Sequence, residues 1–336
     1  YSSSAVGSLA LSGEVRSTTG VDLGRDPVLA QSAGHTFLVA RDQDLVFELD
    51  PRCGTPVSKF SVHQPSHAGP SNPQDVAVAS DGSRWVPLYG DPVVAIVAPD
   101  GTPRGTIDLS SFDTDGNPNA SAIDIVDTPA GEKAFVALQR LDDQDGLRST
   151  RPSWMLRIDV VSATVETHVV LTGRNPFAVF PERGFLWLAE PGNFDDATEP
   201  DAGIERFDTS TSTTALVVRE PDIGGSVAQT AVAGACGVAI VADATRDVNA
   251  TSLVTFDAVR AVPILPASKS PLATPGFLLE GLTWASNAVL LGDRRRASTG
   301  YPVHALDADA SCALTARPDT AFLPLPPVDL RAVTAP

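Results

Sequence analysis

Apolar residues in this chain come in short runs cut by Gly, Pro, Asn and Asp, and the runs recur with one layout. Asp26-Pro27 is followed by Phe37-Leu38-Val39-Ala40 and then by Leu45-Val46-Phe47-Glu48-Leu49-Asp50. Asn175-Pro176 is followed by Phe185-Leu186-Trp187-Leu188-Ala189 and then by Ile204-Glu205-Arg206-Phe207-Asp208. Each unit opens on a turn dipeptide, often Asx-Pro. It continues with a short strand, a tight turn, a second strand ending in small or polar residues, a third ending in Asp, and a fourth. A four-strand unit returning every roughly 45–50 residues predicts an all-β fold, a β-propeller of four-stranded antiparallel blades. Apolar positions at i, i+3, i+4 and i+7 are never sustained, so little helix is expected.

Six units can be laid out, from Asp26 to His63, Asn72 to Phe112, Asn117 to Leu171, Asn175 to Val218, Ile223 to Leu265 and Pro275 to Leu325. Material is left at both ends. Val6 to Leu23 reads as the last two strands of a unit. Pro327-Val328-Asp329-Leu330-Arg331-Ala332-Val333 matches the opening strand Pro73-Gln74-Asp75-Val76-Ala77-Val78. Joined, they predict a composite seventh blade, which would remove an exposed sheet edge. Six blades is the alternative. Either way one ring accounts for residues 1–336 as a single domain.

Composition fits this picture. Hydrophobic residues make up 43% of the chain, enough for a packed core, and the 28 Pro and 26 Gly fall mostly between the apolar runs. The formal net charge of −17 disfavours a phosphate-backbone partner, so nucleic-acid binding is not expected. No apolar stretch reaches the ~20 residues that cross a bilayer as a helix.

Asn72-Pro73-Gln74-Asp75-Val76-Ala77-Val78-Ala79-Ser80-Asp81-Gly82-Ser83-Arg84-Trp85-Val86 resembles the blades of bacterial YVTN-type propellers, the group that includes lactonase-like and NHL-like folds. The resemblance implies the propeller fold and a secreted or periplasmic protein. The chain opens on Tyr1 with no Met. With the resemblance, this sets the expectation of an exported bacterial protein, periplasmic, outer-membrane-associated or extracellular, with a lipid anchor upstream of Tyr1 as an option. The WD dipeptide of WD40 blades and the Gly-Gly pair of kelch blades are absent.

The three cysteines, Cys53, Cys236 and Cys312, show no zinc or redox spacing. Cys236 falls in a first-to-second-strand turn and Cys312 after a third strand of the next unit, turns that share a face. A Cys236–Cys312 bridge is therefore open to them, and burial as small hydrophobes is the alternative.

The second-to-third-strand connections differ most between units. Two are tight, Arg41 to Asp44 and Tyr89 to Pro92. Two are long, from Gln139 to Trp154 and from Glu190 to Asp201, and Asp243 to Thr251 and Gly292 to Tyr301 are intermediate. Insertions gathered on one face of a repeat protein mark a binding face; drift in solvent loops is the bland reading. On that face Asp142, Asp143, Asp145, Asp195, Asp196, Glu199 and Asp201 form an acidic sector and Arg294-Arg295-Arg296 a basic one. Arg148, Trp154 and Phe194 complete the expected binding set, the two aromatics as interface anchors.

Two constellations could hold a metal. Asp113, Asp115 and Asn117 open like an oxygen-rich calcium loop, but no Glu stands at the twelfth position; Asx turns give the same letters. His63 and His67 are spaced as in a helical zinc pair but are flanked by prolines. Catalytic motifs are lacking: no Gly-x-Ser-x-Gly elbow and no P-loop occur. Leu279-Glu280-Gly281-Leu282 is similar to phytase-like and esterase-like propellers, where an inner-strand Glu helps hold calcium. Asp75 and Asp124, at first-strand starts, could line the same channel. The expectation is a non-enzymatic binding or scaffold module whose partner is a protein or extracellular ligand, with no cofactor unless calcium. The alternatives are a calcium-assisted hydrolase or lactonase working in the channel and a structural subunit of a surface assembly.

Overall fold

The computed structural model describes residues 5–9, 15–18, 23–65, 69–242, 250–318 and 320–333, with backbone only for 15–18. His67 and most of the connection from Asp243 to Thr251 lie outside the described residues. The chain divides into two compact units. One comprises Tyr1–Thr150, Trp154–Val170 and Val333–Pro336, the other Arg151–Ser153 and Leu171–Ala332.

The first unit holds a hairpin and three four-stranded antiparallel blades. The hairpin is β1 (Val6–Leu9) with β2 (Val15–Thr18). The first blade is β3 (Pro27–Ser32), β4 (His35–Ala40), β5 (Leu45–Leu49) and β6 (Pro56–Ser61). The second is β7 (Ala77–Val78), β8 (Arg84–Pro87), β9 (Val93–Val97) and β10 (Pro103–Asp108). The third is β11 (Ala120–Thr128), β12 (Gly131–Leu138), β13 (Trp154–Asp159) and β14 (Thr164–Val170).

The second unit holds three more. The fourth blade is β15 (Ala178–Glu182), β16 (Phe185–Glu190), β17 (Gly203–Asp208) and β18 (Thr213–Arg219), followed by the one-turn helix α1 (Glu220–Ile223). The fifth is β19 (Ser226–Ala233), β20 (Cys236–Ala242), β21 (Thr251–Asp257) and an outer strand in two pieces, β22 (Val262–Leu265) and β23 (Ala273–Thr274). The sixth is β24 (Leu279–Ala285), β25 (Ala288–Asp293), β26 (Tyr301–Ala308) and another divided outer strand, β27 (Leu314–Ala316) and β28 (Ala321–Leu323).

Burial explains the sequence pattern. The second strands are buried along nearly their whole length: β4, β8, β16 and β20 carry at most one partly exposed residue each. A strand covered on both faces reads as a continuous apolar run, not an alternation. The outer strands β6, β10 and β14 are mostly exposed, which is where Lys59, Arg104 and Glu166 sit. Side chains of neighbouring blades mix in the core. Phe37, Val39 and Val46 pack with Val76, Val86 and Val97. Trp187 and Ile204 pack with Val241, Val254 and Phe256.

The Asx-Pro openings also acquire a reason. Asn72 and Asn175, each before a proline, have left-handed backbones with φ of 54° and 62°. Among non-glycine residues Asn accepts that conformation most readily.

Among the described residues the expected seventh blade is not formed, and six blades are. Among the described residues β1 pairs only with β2, and Pro327–Val333 forms no strand. The hairpin packs Val6 against the cluster of Leu38, Phe47 and Leu49 instead of joining a ladder with the C-terminal segment. The C-terminal segment lies over β24, with Leu330 and Asp329 against Gly281, whose φ is 82°. Asp329 does reproduce the local seat of Asp75: each accepts the amide of the next residue at 2.8 Å. The letters thus repeat a local turn without supplying a strand partner.

Gly237, in β20, has the ring of Phe256 where a Cβ would stand. Both residues are buried, so Gly237→Ala should destabilise the protein by about 1–3 kcal/mol through overpacking. Adding Phe256→Leu should recover part of it. Urea denaturation of the single and double variants measures this; an unchanged midpoint for Gly237→Ala would show that the core yields freely there.

Candidate functional site

The loop between β16 and β17 is tied down by several side-chain bonds. Asn193 donates its amide and its Nδ2 to the Glu199 carboxylate at 3.0 and 2.7 Å. Thr198 closes an Asx turn on Asp196. From outside the loop, Arg174 reaches Asp201 at 2.8 Å and Glu199 at 3.2 Å, and Asn175 Nδ2 donates to the Gly192 carbonyl at 2.8 Å. This scaffold holds Phe194 edge-on against Phe177, ring centroids 5.1 Å apart. Phe177 is 50% exposed, and Asp195 and Asp196 beside the pair are exposed as well.

Beneath the loop lie three buried carboxyl groups, Glu190, Glu205 and Glu220. Glu205 accepts the Thr172 and Gly173 amides and the Thr214 hydroxyl. Glu190 presses on Gly173, where any side chain would collide with its carboxyl. Burial pushes Glu190 well above the ordinary carboxyl range, and the Glu205 charge adds to it. Glu220 accepts the Val227 amide at 2.8 Å and the Ser226 hydroxyl at 3.3 Å. Burial still pushes it up to about 9, against those donors. Glu190 and Glu199 fell inside the predicted loop, but Glu205 and Glu220 were missed. The readable signal was an acid closing an otherwise apolar run, Leu186-Trp187-Leu188-Ala189-Glu190.

The third-blade excursion has a different character. Asp142 and Arg148 bridge backbone to backbone, Asp142 caps the Gln144 amide at 3.0 Å, and Asp145 is exposed on the turn. Asp143 accepts Asn117 and Asn119 side-chain amides at 3.4 and 3.3 Å. Trp154 begins β13, and its ring is covered on both faces: the Arg140 guanidinium stands 3.7 Å from the centroid and the His168 ring 4.1 Å away. Of the two expected anchors, Trp154 is therefore packed onto the blade and Phe194 stays at the surface.

The remaining expected residues are accounted for locally. Arg294 pairs with Glu280, the Glu of the EGL segment. Arg295 grips Asp293 with Nε and Nη2 at 3.0 and 2.6 Å, and Arg296 is exposed. Burial would raise the Asp293 carboxyl, but His304 and Arg295 hold it well below the usual range. Asp113 accepts the amide of the next residue, Thr114, and Asp115 accepts the Asn117 amide at 3.1 Å, the geometry of an Asx turn. Among the described residues no group of three or more His, Cys, Asp or Glu side chains is placed to hold a metal ion. Cys236 and Cys312 are joined by a disulfide, their Cα atoms 5.4 Å apart, and Cys53 lies outside it, in contact with Thr55.

At the first strands of the first unit, Asp75 accepts the Val76 amide at 2.8 Å and the Ile123 amide at 3.1 Å. Asp124, half-buried beside it, is pushed up to about 7 by burial and by the Asp75 charge.

No family model matches the chain, and no curated protein matches it. Solved structures do. A catalytically inactive virginiamycin B lyase from Staphylococcus aureus, with quinupristin, is 12% identical over 85% of this chain and 84% of its own, with a TM-score of 0.57. U3-55K is 12% identical over 88% of this chain and 79% of its own, TM-score 0.56. The WD40 domain of Neurospora crassa Pan2 is 12% identical over 86% of this chain and 77% of its own, TM-score 0.55. At such identities the likeness shows the fold, a β-propeller, and nothing finer.

The buried carboxyls set a pH dependence of stability. A group whose folded pKa is raised contributes fully below its ordinary value near 4.5 and loses that contribution as pH rises through the folded value. Glu220 therefore costs up to about 1.4 kcal/mol per pH unit between roughly 4.5 and 9. At the acid end the sign reverses. Hydrogen bonds from Ser83, with Arg104, hold Asp81 at about 2, so its contribution falls as pH drops from near 4 towards 2. The melting temperature should peak between about pH 4 and 5 and decline towards pH 9, with Glu220→Gln flattening the alkaline limb. Thermal melts from pH 3 to 9 check this; stability that rises from pH 5 to 9 overturns it.

Proposed function

We propose that this protein is a binding propeller that captures a basic segment of a partner protein on the loop-bearing face of the fourth blade. The observation that carries the reading is the Phe177–Phe194 pair, held at the surface on a loop already ordered by Arg174, Asn175 and Asn193. A preordered loop spares the partner much of the entropy of fixing it. Exposed aromatic rings are suited to act as anchors and to receive a guanidinium by cation–π contact. Asp195 and Asp196 supply the complementary charge. Export to an oxidising compartment is part of the proposal, and the Cys236–Cys312 bridge supports it, because such bonds persist there.

A soluble peptide of alternating arginine and tryptophan is the probe. Titration calorimetry at low salt should show saturable binding, weakened at least about tenfold in Phe177→Ala/Phe194→Ala and in Asp195→Asn/Asp196→Asn, and weakened again by added salt. Equal binding of a glutamate–tryptophan peptide, or no loss in the variants, overturns the reading.

A second reading rests on Asp124, a half-buried carboxyl held at about 7 beside Asp75. A base of that pKa suits proton abstraction near neutral pH, and the reaction class would be hydrolysis of a small ester or lactone. Turnover of a lactone panel should rise as pH passes about 7 and vanish in Asp124→Asn at unchanged melting temperature. Absence of turnover, or its survival in that variant, overturns this reading.

A further inference from the structure

Four second strands carry a buried charge at or near one end, and three of those charges have an opposite partner. Lys133, the third residue of β12, lies 2.7 Å from both Asp159 and Glu166. Arg84, opening β8, is 2.9 Å from Glu48. Asp293, closing β25, holds Arg295 and His304. Glu190, closing β16, breaks the pattern. It is 0% exposed, and neither carboxyl oxygen receives a hydrogen bond from a protein donor.

The register sets a second carboxyl beside it. Glu190 lies opposite Gly203 and Leu188 opposite Glu205, so Glu190 and Glu205 are diagonal neighbours on one face of the β16–β17 ladder. Glu205 is also 0% exposed, and the amides of Thr172 and Gly173 and the Thr214 hydroxyl fill it with donors, as suits a carboxylate. The other charged groups around the pair are committed elsewhere. Arg174, on the segment that carries Gly173, is bound to Glu199 and Asp201. Glu220, on α1, is turned to Val227 and Ser226, and Asp196 caps Thr198 within the loop. Two ionised carboxylates in one dry site would cost more than a fold of ordinary stability can bear.

We propose that Glu190 and Glu205 form a buried acid–carboxylate pair sharing one proton, and that this proton locks the base of the loop between β16 and β17. The mechanical link is short. Glu190 rests on Gly173, and the next two residues along that segment, Arg174 and Asn175, make the ties to Glu199, Asp201 and the Gly192 carbonyl. Loss of the proton forces one carboxylate out of the site, and the loop that carries Phe194 must open to let it leave. The consequence for partner capture rests on the binding reading above; the proton lock itself does not.

Hydrogen exchange of residues 191–202, corrected for intrinsic rate, tests the lock without any ligand. Protection in the wild-type protein should fall at least about tenfold between pH 6 and 10. Glu190→Gln keeps a neutral donor facing Glu205, so its protection should lose the part of the pH dependence that Glu190 brings and keep at most the decline that Glu220 causes. Equal pH dependence in both proteins overturns the proposal. A melting temperature raised by several degrees with calcium chloride relative to chelator, in the wild type and not in Glu190→Gln, also overturns it, since the pair would then hold a metal ion. Should Glu190→Gln fail to fold, the infrared spectrum of Glu220→Gln at pH 8 decides: a protonated carboxyl band is expected, and its absence overturns the shared proton. Arginine–tryptophan peptide binding that is unaffected by pH while exchange follows the lock removes only the link to capture.

Discussion

The six second strands are dry on both faces, and the rest of the chain is arranged to keep them so. Each is sheathed by the first and third strands of its own blade within the sheet and by apolar side chains above and below it. This burial is the dominant favourable term in holding such a fold. It also fixes where polar groups are tolerated. Charges occur at the ends of these strands and, with the exception of Glu190, each has a partner of opposite sign or a set of donors. A strand end that is buried and charged cannot drift in sequence without its partner, because removing one member leaves the other stranded in a dry site.

The same constraint separates scaffold from surface among the loops. Two long excursions carry aromatic residues, and the two partly buried rings rest on different contacts. Trp154 is the first residue of β13, in register with Leu138 and Val170, so its ring is drawn onto the blade between Arg140 and His168. Phe194 sits in mid-loop with no ladder partner, and its contact is another partly exposed ring, Phe177. Likewise the Arg294-Arg295-Arg296 run is not a uniform basic surface, because Glu280 and Asp293 hold two of its members.

The repeat was legible because each blade imposes the same burial on the same strand positions. The apolar run of a second strand, the Asp closing a third and the polar outer strand follow from local surroundings that recur. The six unit boundaries could be placed for that reason, and the pairing of Cys236 with Cys312 was reachable from the turns they occupy. The carboxyl pair of Glu190 and Glu205 was not legible. The two residues look ordinary in sequence, one opening a polar loop and one alternating within a strand, and only the register brings them to one face.

The sequence by itself determined the blade: strand lengths, the order of buried and exposed strands, the left-handed Asn before proline and the Asx turns, all set by interactions within a few residues. The tertiary structure decided the rest, since strand pairing is a non-local property. Pro327-Val328-Asp329-Leu330 copies the letters of Pro73-Gln74-Asp75-Val76 and even its Asp-to-amide bond, yet it forms no strand, because a strand exists only where another backbone supplies its hydrogen bonds.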